Sequence, residues 1–409
     1  MRRYTGTIVI SMMALAAGTS WAQPGPGDIF KEFIYLEGFL ELDPGARHPN
    51  APKDVRTRMP RHIELDLQKA VRAEIAVEFT QHIGTSCKRF RVNESDGFDL
   101  PLPKNTAGSP ECYYHEFAGN PPITIPLEQL HHGSNTFRFA AGPQICHDFG
   151  WGLLSVYAFT VRIYYDRKES GAVGEIITPK PGDSLGQFVP LCAEAIAPNC
   201  RIRQVDFIGY YKDVDWEGDG TFLGWHYLLK KGRLCRNLGT AHDGSPYSIV
   251  WNTEWIPDQD EPIKVMARIV DENGLCTMTP CIEDLRLERD ISVRIYNSEN
   301  IPENFSVRLG RKKSCIININ HDLQQALGAR LWLPTHISRH YGEEAAEIGL
   351  NGQSISDYFG ADYQNFDYFP VPLSMLRQGE NEFYIQSDTH HHAAEINWPG
   401  PVLLIKFMK

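Results

Sequence analysis

The chain has 409 residues, room for about three domains at ~100–200 residues each. Hydrophobic residues make up 42% and charged residues 22%, the balance of a folded protein, which excludes wholesale disorder. The formal net charge of −11 leaves no basic excess for phosphate backbones and excludes nucleic acid as an expected partner.

Residues 1–22 read as a secretory signal peptide. Arg2 and Arg3 form the charged start, Ile8 to Ala17 the apolar run, and Ser20-Trp21-Ala22 a small-x-small cleavage site before Gln23. That run is too short for a bilayer span, which takes roughly 20 residues, and no later stretch is long or apolar enough. The expected product is exported, periplasmic or extracellular, and not membrane-embedded. The 9 cysteines of an exported chain are expected to be mostly disulfide-bonded, with Cys192–Cys200 and Cys276–Cys281 spaced as local loop staples.

Beyond the leader, one pattern occurs twice. Asp66-Leu67-Gln68-Lys69-Ala70 recurs as Asp322-Leu323-Gln324-Gln325-Ala326, and His82-Ile83 as His336-Ile337. Arg91-Val92-Asn93 lines up with Gly349-Leu350-Asn351. Ile125-Pro126-Leu127, Leu130 and Gly133-x-Asn135-x-Phe137 match Val371-Pro372-Leu373, Leu376 and Gly379-x-Asn381-x-Phe383. Each copy closes on Trp151-Gly152 or Trp398-Pro399-Gly400 and an apolar strand. Short runs rich in Ile, Val, Phe and Tyr, divided by Gly, Pro and Asn, predict antiparallel strands in both copies. The Ile-Pro-Leu run and the Gly-x-Asn-x-Phe bend resemble the galactose-binding-like β-jelly rolls of secreted bacterial carbohydrate-active proteins. That resemblance implies jelly rolls over residues 28–166 and 303–409, and glycan recognition as their role.

Between the copies, residues 173–298 form a different unit, with strands expected at Val205–Tyr211, Trp225–Leu229, Tyr247–Trp251, Ile263–Val270 and Ile291–Ile295. Ser245-Pro246-Tyr247, Trp251-Asn252-Thr253 and Trp255-x-Pro257 are similar to bacterial immunoglobulin-like modules, which implies a sandwich of about seven short strands serving as spacer. The expected fold class is all-β: two β-sandwich jelly-roll domains flanking an immunoglobulin-like β-sandwich.

Three constellations bear on chemistry. Gly182-Asp183-Ser184-Leu185-Gly186 matches the G-x-S-x-G nucleophile elbow, but Pro179 and Pro181 before it and Pro190 after it deny the strand–helix setting the elbow needs, so a polar turn is expected. Asp213, Asp215, Glu217 and Asp219 alternate as oxygen ligands do around calcium, with Gly218 at the sixth place; Gly224 stands where a bidentate Glu would close a full loop. The alternatives are a structural Ca2+ site and a solvated acidic turn. Third, the repeat places His82, His147 and Trp151 at the strand ends of the first copy, and His336, His391, His392, Glu395 and Trp398 at those of the second. Imidazoles, a carboxylate and an indole face suit a sugar, a transition metal or acid–base chemistry, and equally a purely structural strand-end plug.

The function expected on this basis is non-catalytic binding of a polysaccharide or other glycan by an exported protein. The alternatives are a polysaccharide lyase or glycoside hydrolase with its site in the C-terminal copy, and a structural cell-envelope protein whose partner is another protein.

Overall fold

The computed structural model describes residues 23–42, 60–82, 89–101, 114–116, 121–141, 153–166, 171–242, 244–337, 346–357, 359, 365–390 and 393–409. The leader expected at residues 1–22 lies outside them. Within them the chain is almost entirely strand, arranged as antiparallel sheets that stack face to face as sandwich-like units. No helix among the described residues is long and apolar enough to cross a membrane.

Strand pairing is the same in the two repeat copies. In the first, Ile29–Leu42 pairs with Leu153–Tyr165, which pairs with Ala70–His82; Arg61–Leu65, Gly133–Ala140 and Arg89–Val92 form the facing sheet. In the second, Ile291–Glu299 pairs with Val402–Met408, which pairs with Ala326–Ile337; Arg311–Ile319, Gly379–Ser387 and Ala346–Leu350 face them. The strand at Ile291–Glu299, expected as the last of the middle unit, therefore belongs to the C-terminal sheet. Its apolar alternation suits either sheet, and only the partner decides.

The shared bend has a side-chain cause. After Pro126 and Pro372, which hold φ at −57°, each chain makes a short 3-10 turn and then a glycine at φ +97° (Gly133) or +89° (Gly379). Asn135, fully buried, accepts from the His131 amide at 2.8 Å and donates to the His131 and Gly133 carbonyls at 2.7 and 2.9 Å. Asn93, at φ +47°, donates to Asn135 and to the Gln129 carbonyl. Asn381 and Asn351 repeat every one of these bonds, on Arg377, Gly379 and Met375. A paired asparagine clamp is what the Gly-x-Asn motif encodes.

The middle unit packs Val173–Thr178, Phe188–Ile196 and Tyr247–Asn252 against a sheet built on Ile202–Lys212 and Ile263–Asp271. Its strand Leu275–Met278 pairs on one side with Ile263–Asp271 and on the other with Ile29–Lys31 of the first copy. One continuous sheet thus crosses from the middle unit into the N-terminal sandwich. A row of buried charges runs across it. Arg162 lies between Glu74 and Glu32 on adjacent strands, bonded to both; Arg268 joins Glu32 at 2.7 Å to Asp206 at 2.9 Å. Tyr227 and Tyr164 donate to Glu32 and Glu74 at 2.8 and 2.6 Å. Burial alone would raise the pKa of Glu32, but Arg268 and Arg162 outweigh it and hold the carboxyl below the usual range.

The expected disulfides are not formed by Cys192, Cys200, Cys276, Cys281 and Cys315, which are thiols. Cys192 sits inside its strand while the Cys200 thiol turns to Asp271, 3.4 Å away. Cys276 is buried under the charge row, and the Cys281 thiol faces the Ile282 carbonyl. Sequence proximity does not bring these sulfurs together. Cys87, Cys112 and Cys146 lie outside the described residues.

Two outcomes are expected in urea denaturation. Asn381→Ala removes the clamp and strands buried backbone partners, lowering stability by about 2–4 kcal/mol. Arg268→Met leaves Glu32 and Asp206 short of a buried counter-charge and costs about 3–5 kcal/mol. Wild-type midpoints in both variants would overturn these assignments.

Candidate functional site

A single segment, Asp213 to Arg236, lines a cleft of about 70 Å³ on the middle unit. Strand Ile202–Lys212 runs into the acidic loop, and Leu223–Trp225 returns antiparallel to it, Trp225 opposite Tyr210. The Asp213 amide donates to the Phe222 carbonyl at 2.8 Å and closes the loop. The chain then enters the hairpin Leu228–Lys230/Arg233–Cys235, whose turn residues Lys231 and Gly232 have φ of +46° and +70°, as a type I′ turn requires. Arg236, also left-handed at φ +63°, leaves the hairpin toward the loop.

The side chains form a layered polar–aromatic group. The Arg236 guanidinium lies over the Trp216 ring, 3.0 Å from its centroid. Its Nη1 donates to Asp213 and to the Tyr368 hydroxyl, both at 3.0 Å. Trp216 donates its indole N–H to Asp213 at 3.2 Å and packs against Phe366 of the C-terminal unit, which stacks on the fully buried Trp332. Trp216, Phe222 and Trp225 remain half-buried along the cleft wall. Beneath them His226 stacks flat on Tyr211, 3.7 Å between centroids, and its Nε2 faces the Tyr211 carbonyl at 3.2 Å, so Nε2 carries the proton. Burial lowers its pKa to about 4; Arg236 works in the same direction and Asp213 against it.

The acidic loop is held by its own donors. Asp213 faces Arg236 and Trp216, Asp215 accepts from the amides of Asp219 and Gly220 at 3.2 and 2.7 Å, and Asp219 accepts from Thr221 at 2.9 Å. Glu217 is buried. Among the described residues no group of three or more His, Cys, Asp or Glu is disposed to hold a metal, and Asp213, Asp215, Glu217 and Asp219 are not gathered as one such group. The alternating carboxylates instead shape a turn whose Gly218, at φ +63°, seats the Trp398 indole: a Cβ there would come within 1.9 Å of that ring. Trp398 donates to the Gly218 carbonyl at 3.0 Å. The indole expected to face a sugar is thus seated on the acidic loop, joining the middle and C-terminal units.

Of the other expected site residues, His336 lies in Ala326–Ile337 with its backbone directly across from Glu395. His82 ends strand Ala70–His82, opposite Tyr114. His147, Trp151, His391 and His392 lie outside the described residues. Ser184 sits in the two-residue strand Ser184–Leu185, and a strand, Phe188–Ile196, follows it. Sequence reading passed over Trp216, Trp225, His226 and Arg236. The available signal was Trp216, Phe222, Trp225 and His226 clustered within and just after the acidic run.

No protein-family model matches the chain, and no curated protein does. Among solved structures, a β-porphyranase of glycoside hydrolase family 86 from the human gut bacterium Bacteroides plebeius is 11% identical over 55% of this chain and 35% of that one, with a TM-score of 0.23. This chain thus spans about a third of that enzyme's length. The fibronectin(III)-like modules of Clostridium thermocellum CbhA are 11% identical over 55% of this chain and 90% of theirs, TM-score 0.19. A DUF4785 family protein from Legionella pneumophila is 8% identical over 94% of this chain and 85% of its own, TM-score 0.24. Scores this low carry no inference about activity.

His226 makes the unit sensitive to acid. With its folded pKa near 4 and an unfolded value near 6.5, its neutral form stabilises the fold fully above pH 6.5, and the contribution drains away as pH falls toward 4. The whole effect is about 3 kcal/mol. Thermal melts from pH 7 to 4.5 are expected to show a fall that flattens in His226→Phe; an unchanged slope in the variant would count against the buried neutral imidazole.

Proposed function

We propose that this chain is an exported, non-catalytic glycan-binding protein whose recognition surface is the cleft of Trp216, Phe222 and Trp225. The observation that carries this reading is the composition of that cleft. Half-buried aromatic faces suit the C–H face of a sugar ring, and Asp213 and Arg236 in its lining suit hydroxyl groups. A shallow, partly open wall accommodates one edge of a chain rather than enclosing a small molecule, as a polymer requires. His82, His147 and Trp151 in the first copy, and His336, His391, His392 and Glu395 in the second, are proposed as auxiliary contacts. Two or more such sites on one frame would add avidity for a polymer. The leader at residues 1–22 supports export, where polysaccharides are met.

A second reading, a polysaccharide lyase or glycoside hydrolase, is favoured by one observation: the register opposes His336 to Glu395, an imidazole and a carboxylate on neighbouring strands.

Isothermal titration with oligosaccharides, alongside reducing-end and unsaturated-product assays, separates the readings. Binding without product is expected, weakened at least tenfold by Trp225→Ala while the melting temperature holds. Product formation that disappears in His336→Ala would replace binding by catalysis.

A further inference from the structure

We infer that the cleft is built for an acidic sugar unit, its carboxylate or sulfate gripped by Arg236; the inference rests on the glycan reading above. Both protein bonds of the Arg236 guanidinium run through a single nitrogen, Nη1, to Asp213 and to Tyr368. Nε and Nη2 make no bond to any described residue, although the side chain lines the cleft and keeps 18% of its surface exposed. The Nε/Nη2 edge is the planar two-donor fork that matches two oxygens of one oxyanion. The fork is pre-set. Trp216 lies against one face of the guanidinium, and Asp213 and Tyr368 fix its rotation, so little side-chain freedom remains to be lost on binding.

A second cation stands near the fork in an otherwise acidic chain. The Tyr368 ring lies between two guanidinium groups, Arg236 at 5.5 Å and Arg330 at 4.1 Å from its centroid. The Arg330 Nε is buried with no hydrogen-bond partner. Asp213 partly offsets Arg236, and the Arg330 guanidinium on the Tyr368 ring is a second cation close by. A free inorganic anion would leave Phe222 and Trp225 unused; a sugar ring bearing an anionic group uses both halves of the cleft.

The test is isothermal titration of the full chain with three probes of equal length: a neutral galactose oligosaccharide, an oligogalacturonate and a sulfated galactose oligosaccharide. At least one acidic probe is expected to bind tenfold or more tighter than the neutral one, with an affinity that falls as salt rises. Which acidic probe wins distinguishes carboxylate from sulfate. Arg236→Gln is expected to abolish the preference. Arg236→Lys keeps the charge opposite Asp213 but removes the fork, and should lose most of the discrimination in a fold whose melting temperature is close to wild type. Equal binding of neutral and acidic probes, unaffected by either substitution, would overturn the inference and leave the glycan reading standing. Failure of all three probes to bind would overturn both.

Discussion

Five charged side chains alternate across one sheet: Glu74, Arg162, Glu32, Arg268 and Asp206, each bonded to the next and each on its own strand of the two units. Their burial makes the arrangement unforgiving, because a charge withdrawn from water is tolerable only beside its counter-charge. On strand Ala70–His82, Ala73, Ile75 and Val77 fill the N-terminal core while Glu74 faces the other way; on Leu153–Tyr165, Val161 and Ile163 do the same opposite Arg162. A register slip of one residue would exchange the two sets and drive charges into the apolar core. The row therefore specifies strand alignment more than it adds net stability. It also couples the units, since Glu32 of the N-terminal sheet is bonded to Arg268 of the middle unit.

The cleft inherits its position from this coupling. Tyr227, which bonds Glu32 and accepts from Arg268, is the residue after His226 and opens the hairpin that carries the chain to Arg236. Gly232 at the hairpin tip lies against Ile34 and Leu36 of the N-terminal sheet, where a Cβ would come within 2.5 Å. On the opposite side, Trp398 on Gly218 and Trp216 against Phe366 anchor the acidic loop to the C-terminal unit. One stretch of about two dozen residues is thus pinned to both repeat copies and bears the cleft between its anchor points. Anchoring at both ends is the support a pre-organised recognition surface needs.

Much of the framework was legible in the residues. Alternating apolar runs announced strands, and the recurrence of Pro, Gly and Asn at matched places announced two copies; the asparagine clamp explains why those letters recur. The site was less legible. Alternating carboxylates at Asp213 to Asp219 read alike whether they wrap an ion or accept from backbone amides, and only the amide directions separate the two. Trp398 read as a free platform because its partner, Gly218, is 180 residues away in sequence. Cysteine spacing misled for the same reason: closeness along a chain says nothing about the direction of side chains in separate strands. Arg236 carried no motif at all, since its role depends on Tyr368 and Trp216 meeting it from two units.

The shared strand Leu275–Met278 divides labour between the copies in folding. The first copy's strand Ile29–Leu42 presents an edge that the middle unit covers, and the copy's buried carboxylate Glu32 takes its second arginine, after Arg162, from that unit. The second copy needs no such loan for its equivalent strand, since Ile291–Glu299 pairs within its own sandwich on both sheets. During synthesis the N-terminal copy emerges first yet cannot close its edge until residue 278 has left the ribosome. It must wait as an open template for stray pairing, whereas the second copy can complete itself as soon as strand Val402–Met408 is free.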